Sequence, residues 1–585
     1  MKELQYLNKY FFKYKYRFLF GILITISAQI FALYAPQYIG NSINAIEQFI
    51  KNNSDKATLI ELLKENIYII IGATIIYAFL TFLMRQTIIV MSRHIEFDLK
   101  NEVYAHYQYL CQSFYKQNRI GDLMNRISDD VGKVRSYVGP AVMYTSNILI
   151  RFTVVVIYMY NISPKLTLYS LLPLPFLSIG IFKISSEIHK RSRVFQENIS
   201  TLSSFTQEIF SGIRVIKAYA IENKKANEFE VLSQNSKQKS LDLNLINSLF
   251  GPLMVLLIGL SNLVVIYVGG QLYIKGEIPN IGLIAQFILY INMLTWPVAS
   301  LGWVSSMVQE AEASQKRINE FLLTEPHITN NGLQKEFSLG AIELKNVSFT
   351  YPDTGINALK NVNLTLPKNK TVAVFGKTGS GKSTLLSLIS RLYDVENGAI
   401  TINQENIKDI DLFKLRNNVA VVPQDAFLFS DSIKNNIKFG NNDATDEEVT
   451  EVAKKAAVHN NIIDFTNGYD TVLGERGITL SGGQKQRVSI ARALIKDAPI
   501  LLLDDCLSAV DTETEEQILN ALLDYCKNKT TLIVSHRVST AKNADTIVIL
   551  DEGEIIEQGT HNELIAQNGY YKELYVKQLS EKENV

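Results

Sequence analysis

The chain reads as two architectures in series: an α-helical transmembrane domain of six long helices, then an α/β P-loop nucleotide-binding domain. Three observations predict this. Apolar residues crowd the first half into stretches close to the ~20 that a bilayer requires. Acidic residues collect in the second half, where short apolar runs alternate with helical patterns. The run from Val372 to Leu386, VAVFGKTGSGKSTLL, passes from an apolar strand through a glycine loop into a helix. It matches G-x-x-x-x-G-K-S/T at Gly376, Gly381, Lys382 and Ser383, in the strand-loop-helix context that marks a phosphate-binding loop.

Length and composition bound the rest. At 585 residues the chain is too long for one core. It is 47% apolar and 20% charged, and its mean hydropathy of +0.06 is positive, which in a protein of this size points to membrane spans. Fifty-eight basic residues balance 58 acidic ones, so there is no global basic field and nucleic acid is not an expected partner. The three cysteines, Cys111, Cys506 and Cys526, show no metal-ligand spacing and read as reduced, bland thiols on the cytoplasmic side.

The membrane half begins with MKELQYLNKYFFKYKYRF, basic and aromatic, which runs directly into GILITISAQIFALYAPQYIG. That apolar run is too long for the core of a cleaved signal peptide and no clear small-residue cleavage site follows it, so the first span is placed at 17–40. Five more are expected at 66–90, 137–160, 165–187, 247–271 and 281–305. An even number returns the chain to its starting side. Lys9, Lys13, Lys15 and Arg17 precede span one; Arg93, Lys100, Lys116, Arg119 and Arg126 lie between spans two and three. Lys190, Arg191, Arg193, Arg214, Lys217, Lys224 and Lys225 lie between spans four and five, whereas the loops at 161–165 and 271–280 are short and nearly uncharged. The positive-inside rule then puts both termini and the long loops in the cytoplasm.

The two long loops keep helical periodicity and hold almost no Pro or Gly, which predicts hairpins of helix reaching beyond the bilayer. Their tips, Ser113 to Asp130 and Ser203 to Glu222, each place a Gly in a short amphipathic stretch. Phe114, Tyr115, Phe205, Phe210 and Tyr219 are aromatics with no membrane to cover them, so the tips are expected to dock rather than stand as solvated turns. Within the spans the polar groups are Arg85, Gln86, Asn147, Arg151, Asn262, Gln286 and Asn292, which face either a cavity or a partner helix, with snorkelling or a place near an interface as the alternative for Arg85 and Arg151. Pro36, Pro173, Pro175 and Pro297 kink or end helices, as hinges or as fixed bends.

After span six, SSMVQEAEASQKRINEFLLTEPHI is polar and helical, and Pro326 with Asn330-Asn331-Gly332 marks a linker. The expected division is 1–325 membrane domain, 326–340 linker, 341–580 nucleotide-binding domain and 581–585 tail. In the P-loop, glycines let the backbone curl so that N–H groups face phosphate oxygens, and the following helix points its positive end at them. Lys382 is expected on the β/γ-phosphates and the Ser383 hydroxyl on Mg²⁺. Tyr351, ending the strand IELKNVSFTY, is either an adenine-stacking ring or a plain strand-end aromatic. Ile500 to Asp504 is a buried strand ending in a metal-side carboxylate, with Asp505 directly after it, and His536 ends another apolar strand. Ser481-Gly482-Gly483-Gln484 opens a helix near Gln486 and forms a second anion cradle. One nucleotide does not need two, so this one is expected to cap the nucleotide of another subunit.

That order of motifs resembles the ATP-binding cassette (ABC) family, and the six-span half looks like a half-transporter of the exporter type. LSGGQ between a P-loop and an apolar strand ending in Asp-Asp is highly specific. The resemblance implies an antiparallel β subdomain in the nucleotide-binding domain. It also implies that Tyr351 stacks adenine and that Gly376, Lys377, Thr378, Gly379, Ser380, Gly381, Lys382, Ser383 and Thr384 wrap the phosphates of ATP. Ser383, Gln424 and Asp504 would hold Mg²⁺, with His536 as switch histidine and Gln424 reporting to the hairpin tips. Ser481, Gly482, Gly483, Gln484 and Asp511 would act in trans on the partner's ATP. EAEASQKRINEF resembles the family's linker helix, and Gly474-Glu475-Arg476-Gly477 the loop that touches the coupling helices.

One position departs from the pattern. Most members place a glutamate after the metal-binding aspartate, as general base for the attacking water, and this chain has Asp505. Its acidity is similar, but its reach is roughly 1 Å shorter, enough to cost on the order of 10²-fold in rate. The departure with an intact LSGGQ resembles the degenerate-site half, BmrC-like or LmrC-like, of heterodimeric bacterial multidrug exporters; a slow homodimer is the alternative. The resemblance implies alternating access in the bacterial cytoplasmic membrane, with a second half-transporter supplying the catalytic glutamate. The cargo it implies is an amphipathic or hydrophobic compound such as an organic cation or drug, with lipid or peptide equally compatible. Six spans exclude a soluble DNA-repair ATPase. A membrane sensor that moves no cargo, or an importer, stays open.

Overall fold

The computed structural model describes residues 2–52, 55–330, 337–474, 477–507, 512–538 and 542–583. They fall into two compact units, Met1–Gln108 with Gly121–Thr324, and Tyr109–Ile120 with Glu325–Val585. The second is discontinuous in sequence, since the first hairpin tip packs within it.

The first unit is helical. Among the described residues five helices are long and apolar enough to cross a membrane: Lys15–Lys51, Lys56–Tyr109, Ile120–Ile162, Glu222–Ile274 and Gly282–Leu322. The 54 residues of Lys56–Tyr109 span about 80 Å at 1.5 Å per residue, far more than a ~30 Å hydrocarbon core. Helix therefore runs well past the bilayer, as the periodicity of the long loops predicts. The sixth expected span, 165–187, is built differently. It lies on Pro164–Leu171 and Pro173–Ser211, parted at Leu172, which keeps right-handed helical angles. Pro173 and Pro175 bring no N–H, so the hydrogen-bond ladder is interrupted while the backbone conformation continues. At its start, the unit ties the basic aromatic N-terminus to the Lys56–Tyr109 helix. Lys9 Nζ and Tyr6 OH meet Glu102 Oε1 at 2.6 Å, and Lys13 Nζ meets Asp98 at 2.6 Å.

The two hairpin tips differ. The second, Ile213–Ala218, leaves Phe210 and Tyr219 at 70% and 76% exposure. The first forms the short helix Gln112–Gln117 inside the second unit, with Ser113 buried and Phe114 edge-on to Tyr115.

The second unit carries two sheets. The antiparallel one is built from β1 (Ile342–Thr350), β2 (Asn357–Leu366), β4 (Asn397–Ile402) and β5 (Glu405–Asn406), in the order β2-β1-β4-β5. The other comprises β3 (Thr371–Phe375), β6 (Val419–Val422), β7 (Ile500–Asp504), β8 (Thr530–Val534), β9 (Thr546–Asp551) and β10 (Glu554–Gly559). Its order is β10-β9-β3-β8-β7-β6, parallel except for β9/β10. All five residues of β3 and of β8 are buried, which explains runs without polar alternation. This order places the C-terminal ends of β3, β7 and β8 side by side, at the edge where open α/β sheets bind ligands.

Candidate nucleotide site

The P-loop follows β3 and feeds the helix Lys382–Ile389. Its glycines are required by space as well as by backbone. A Cβ on Gly376 would lie 2.0 Å from the carbonyl oxygen of Leu550, and one on Gly381, at φ +102°, 2.4 Å from that of Ala358. The loop can pass between β9 and β2 only without side chains.

Lys382 is 6% exposed and folds back, its Nζ donating to the carbonyls of Gly376 at 2.8 Å and Lys377 at 2.7 Å. Burial lowers the ammonium's pKa, against the opposing charges of Asp505 and Asp504. At the end of β7, Asp504 Oδ1 accepts from Ser383 Oγ at 3.0 Å. Burial, and then the Asp505 carboxylate, raise the proton affinity of Asp504 against the Ser383 hydrogen bond and the charges of Lys382 and His536. Asp505 is 9% exposed, holds a left-handed backbone at φ 43° and donates its N–H to Val534 O at 2.9 Å. The Ser380 hydroxyl is buried without a partner among the described residues. An inward ammonium, a buried hydroxyl without a partner and a hard-oxygen pair at Ser383 and Asp504 fit a triphosphate with a divalent cation such as Mg²⁺.

Tyr351 closes the other side. Its hydroxyl pairs with Thr384 Oγ1 at 2.9 Å, and its ring stands edge-on to Phe349 and Tyr393 with centroids 5.0 and 5.5 Å away. Lys116, on the first hairpin tip, lies with Nζ 4.5 Å from the centre of that ring. Sequence reasoning placed Lys116 only in a loop count and had no signal for this contact. It also missed Gln578, whose Nε2 donates to His536 O at 2.7 Å while its Oε1 accepts from the Val538 N–H at 2.8 Å. That clamp holds the loop after β8, where His536 is exposed.

The remaining expected residues stand apart. Gln424 has an exposed side chain and a backbone carbonyl that accepts from Gln486 Nε2 at 3.3 Å. Ser481 and Gln484 form a capping box on the helix Gly482–Ile495, with bonds of 2.9 and 3.3 Å. Among the described residues no hydrogen bond or ion pair joins Ser481–Gln484 to the Lys382 cluster, so within one chain the two cradles remain separate. Asp511, Glu475 and Arg476 lie outside the described residues. The cysteines are not equivalent. Burial pushes the Cys506 thiol up to about 12 and raises that of Cys526. Burial of Cys111 acts the same way but is outweighed by Ser113 and the N–H groups of His327, Ile328 and Phe114, so its pKa falls below the ordinary thiol value. Cys111 is therefore set apart from the two buried thiols.

The comparisons agree with this geometry. Residues 18–298 match the family described as the ABC transporter transmembrane region, and residues 359–508 the family described as ABC transporter. The multidrug resistance-like ATP-binding protein MdlA of Escherichia coli is 34% identical over 576 residues, 98% of this chain and 96% of that one. A Bacillus subtilis protein named "Probable multidrug resistance ABC transporter ATP-binding/permease protein YheI" is 35% identical over 572 residues, 97% and 96% of the two chains. With a helical membrane unit, a P-loop sheet and relatives matched over nearly their full length, the chain belongs to the ABC transporter family, as a fusion of membrane and ATP-binding domains.

Proposed function

We propose that the chain exports amphipathic or hydrophobic compounds across a bacterial cytoplasmic membrane by alternating access, as one half of a heterodimer whose site on this P-loop hydrolyses ATP slowly. Asp505 carries the heterodimer reading. Its Cα is held by the hydrogen bond to Val534 O, so side-chain length sets how far the carboxylate reaches. The intact Ser481–Gln484 segment supports the complement, a competent site whose P-loop and catalytic glutamate belong to the partner.

In this reading Tyr351 stacks adenine and residues 376–384 bind the phosphates, with Lys382 turning its ammonium from the carbonyls of Gly376 and Lys377 to phosphate oxygens. Ser383, Asp504 and Gln424 would hold Mg²⁺, which when bound neutralises charge on the phosphate oxygens. His536 faces the γ-phosphate, and Ser481–Gln484 with Asp511 close over the partner's nucleotide. Two ATP molecules draw two cassettes together, and ATP favours the outward state by its greater affinity for the closed pair. The distribution of Lys and Arg supports cytoplasmic termini and cassette.

The test is ATP hydrolysis by the full chain in lipid, with Lys382→Ala as background. Near-silence alone and activity on co-expression with a second half-transporter are expected. Brisk turnover alone sinks the heterodimer in favour of a homodimer. Hydrolysis without ATP-driven dye movement in vesicles, in any pairing, replaces export by a sensing role.

A further inference from the structure

Arg151 carries a permanent charge into the membrane unit. It lies on the helix Val142–Ile162, some eleven residues from the end at Ile162. That is about 16 Å at 1.5 Å per residue, roughly half of a ~30 Å hydrocarbon core, so the charge sits near the bilayer midplane. Neutral groups hold it. Nε donates to Gln29 Oε1 at 2.7 Å and Nη2 to Tyr77 OH at 2.9 Å. Gln29 is 2% exposed and donates in turn to Asn147 Oδ1 at 3.3 Å. Among the described residues no carboxylate pairs with Arg151, and these two bonds leave its Nη1 end without a protein partner.

The same guanidinium lines a cavity of about 520 Å³, in which it is the only charged group among the described residues. Phe31, Ile39, Leu289 and Met293 make most of the wall apolar, and Tyr77 and Asn292 add polar atoms. A cation without a counter-charge is costly at this depth, and intramembrane ionisable residues of this kind mark ligand pathways. The low dielectric that makes it costly would also repel a second cation. An anion reverses both effects, because its oxygens accept from the remaining N–H donors in the planar geometry that suits carboxylate, sulfonate and phosphate.

We infer that this cavity binds amphipathic anions, the acidic head on Arg151 and the apolar body along Phe31, Ile39, Leu289 and Met293; on the export reading, such anions and not organic cations are the cargo. The site stands without that reading, but its being a cargo site rests on it.

The experiment uses the full chain in phosphatidylcholine nanodiscs and two fluorescent probes of equal chain length, a dansylated undecanoate and its trimethylammonium counterpart. Saturable binding of the carboxylate is expected, with Arg151→Gln weakening it about 10- to 100-fold, the range for losing hydrogen bonds to a charged group. Arg151→Lys, which keeps the charge but not the planar fork, recovers part of the affinity lost in Arg151→Gln and shows that the site still folds. Equal binding of the cationic probe, or indifference to Arg151→Gln, overturns the inference. Full displacement by phosphatidylglycerol overturns the cargo assignment and makes the occupant a lipid; resistance to it supports a transported compound. In vesicles that also hold the second half-transporter, ATP-driven movement of the cation but not the anion refutes the inference while export stands. Binding without movement of either probe keeps the site and refutes export.

Discussion

Asp505→Glu lengthens one side chain by a methylene at a point where the backbone cannot compensate. The N–H of Asp505 is bonded to Val534 O at 2.9 Å, and the residue is 9% exposed at the end of β7. The carboxylate therefore moves outward by roughly 1 Å, the scale on which placement of a catalytic group is worth on the order of 10²-fold in rate. That corresponds to about 2.7 kcal/mol of barrier. The expected result is an ATP turnover by the purified full chain in lipid that rises about 100-fold over the native chain, each corrected with Lys382→Ala. A second effect runs the other way. Asp505 sits at φ 43°, a conformation that Asp tolerates through local hydrogen bonding and Glu does not, so the variant loses about 1 kcal/mol. Its cassette should melt some 2–4 °C lower. A variant that binds ATP and melts as expected but hydrolyses no faster than threefold over the native chain would refute the reasoning, because reach would then not limit the site.

Other consequences follow from the same unit. Gly381→Ala forces a Cβ to 2.4 Å from the Ala358 carbonyl at φ +102°, and should cost about 2 kcal/mol of stability and abolish retention on an ATP-agarose column. Arg492 bonds Asn436 O at 2.8 Å, Phe427 O at 2.9 Å and Asn436 Oδ1 at 3.0 Å. Arg492→Ala leaves these acceptors facing an apolar gap, at a cost of about 3 kcal/mol, read as a fall in melting temperature of roughly 6–12 °C. Cys111, whose thiol is held below its ordinary pKa, should alkylate first of the three cysteines. Its rate should rise with pH and level off at a lower pH than that of an ordinary thiol peptide; a plateau at or above the peptide's, or equal labelling in Cys111→Ser, contradicts the geometry.

The features legible in the sequence are those written within a few residues of themselves. A run of twenty apolar residues announces a span because a bilayer leaves no other way to satisfy the backbone. Gly376 to Ser383 announces a phosphate loop because strand, turn and helix are consecutive, and Asp504-Asp505 can be compared with a pattern position by position. Where the reading missed, the cause lies in contacts between distant segments. A hydropathy window over 165–187 averages across Pro173 and Pro175, so the interrupted ladder is legible only from the prolines, which the sequence marks as places where a helix kinks or ends. Nothing near residue 578 shows that Gln578 clamps the loop carrying His536, or near residue 116 that a lysine comes to rest on the Tyr351 ring. The φ of Asp505 is likewise set by its hydrogen bond to a different strand.

Arg151 shows the division most directly. By itself the sequence determined that a guanidinium stands within a span, since charge and hydropathy are properties of one segment. Only the tertiary structure decided its company: Gln29 and Tyr77 from two other helices, no carboxylate among the described residues, and a cavity behind it. The physical reason is that local pattern fixes which groups each helix carries, whereas the cost of a buried charge depends on which groups the packing of separate helices brings within hydrogen-bonding range.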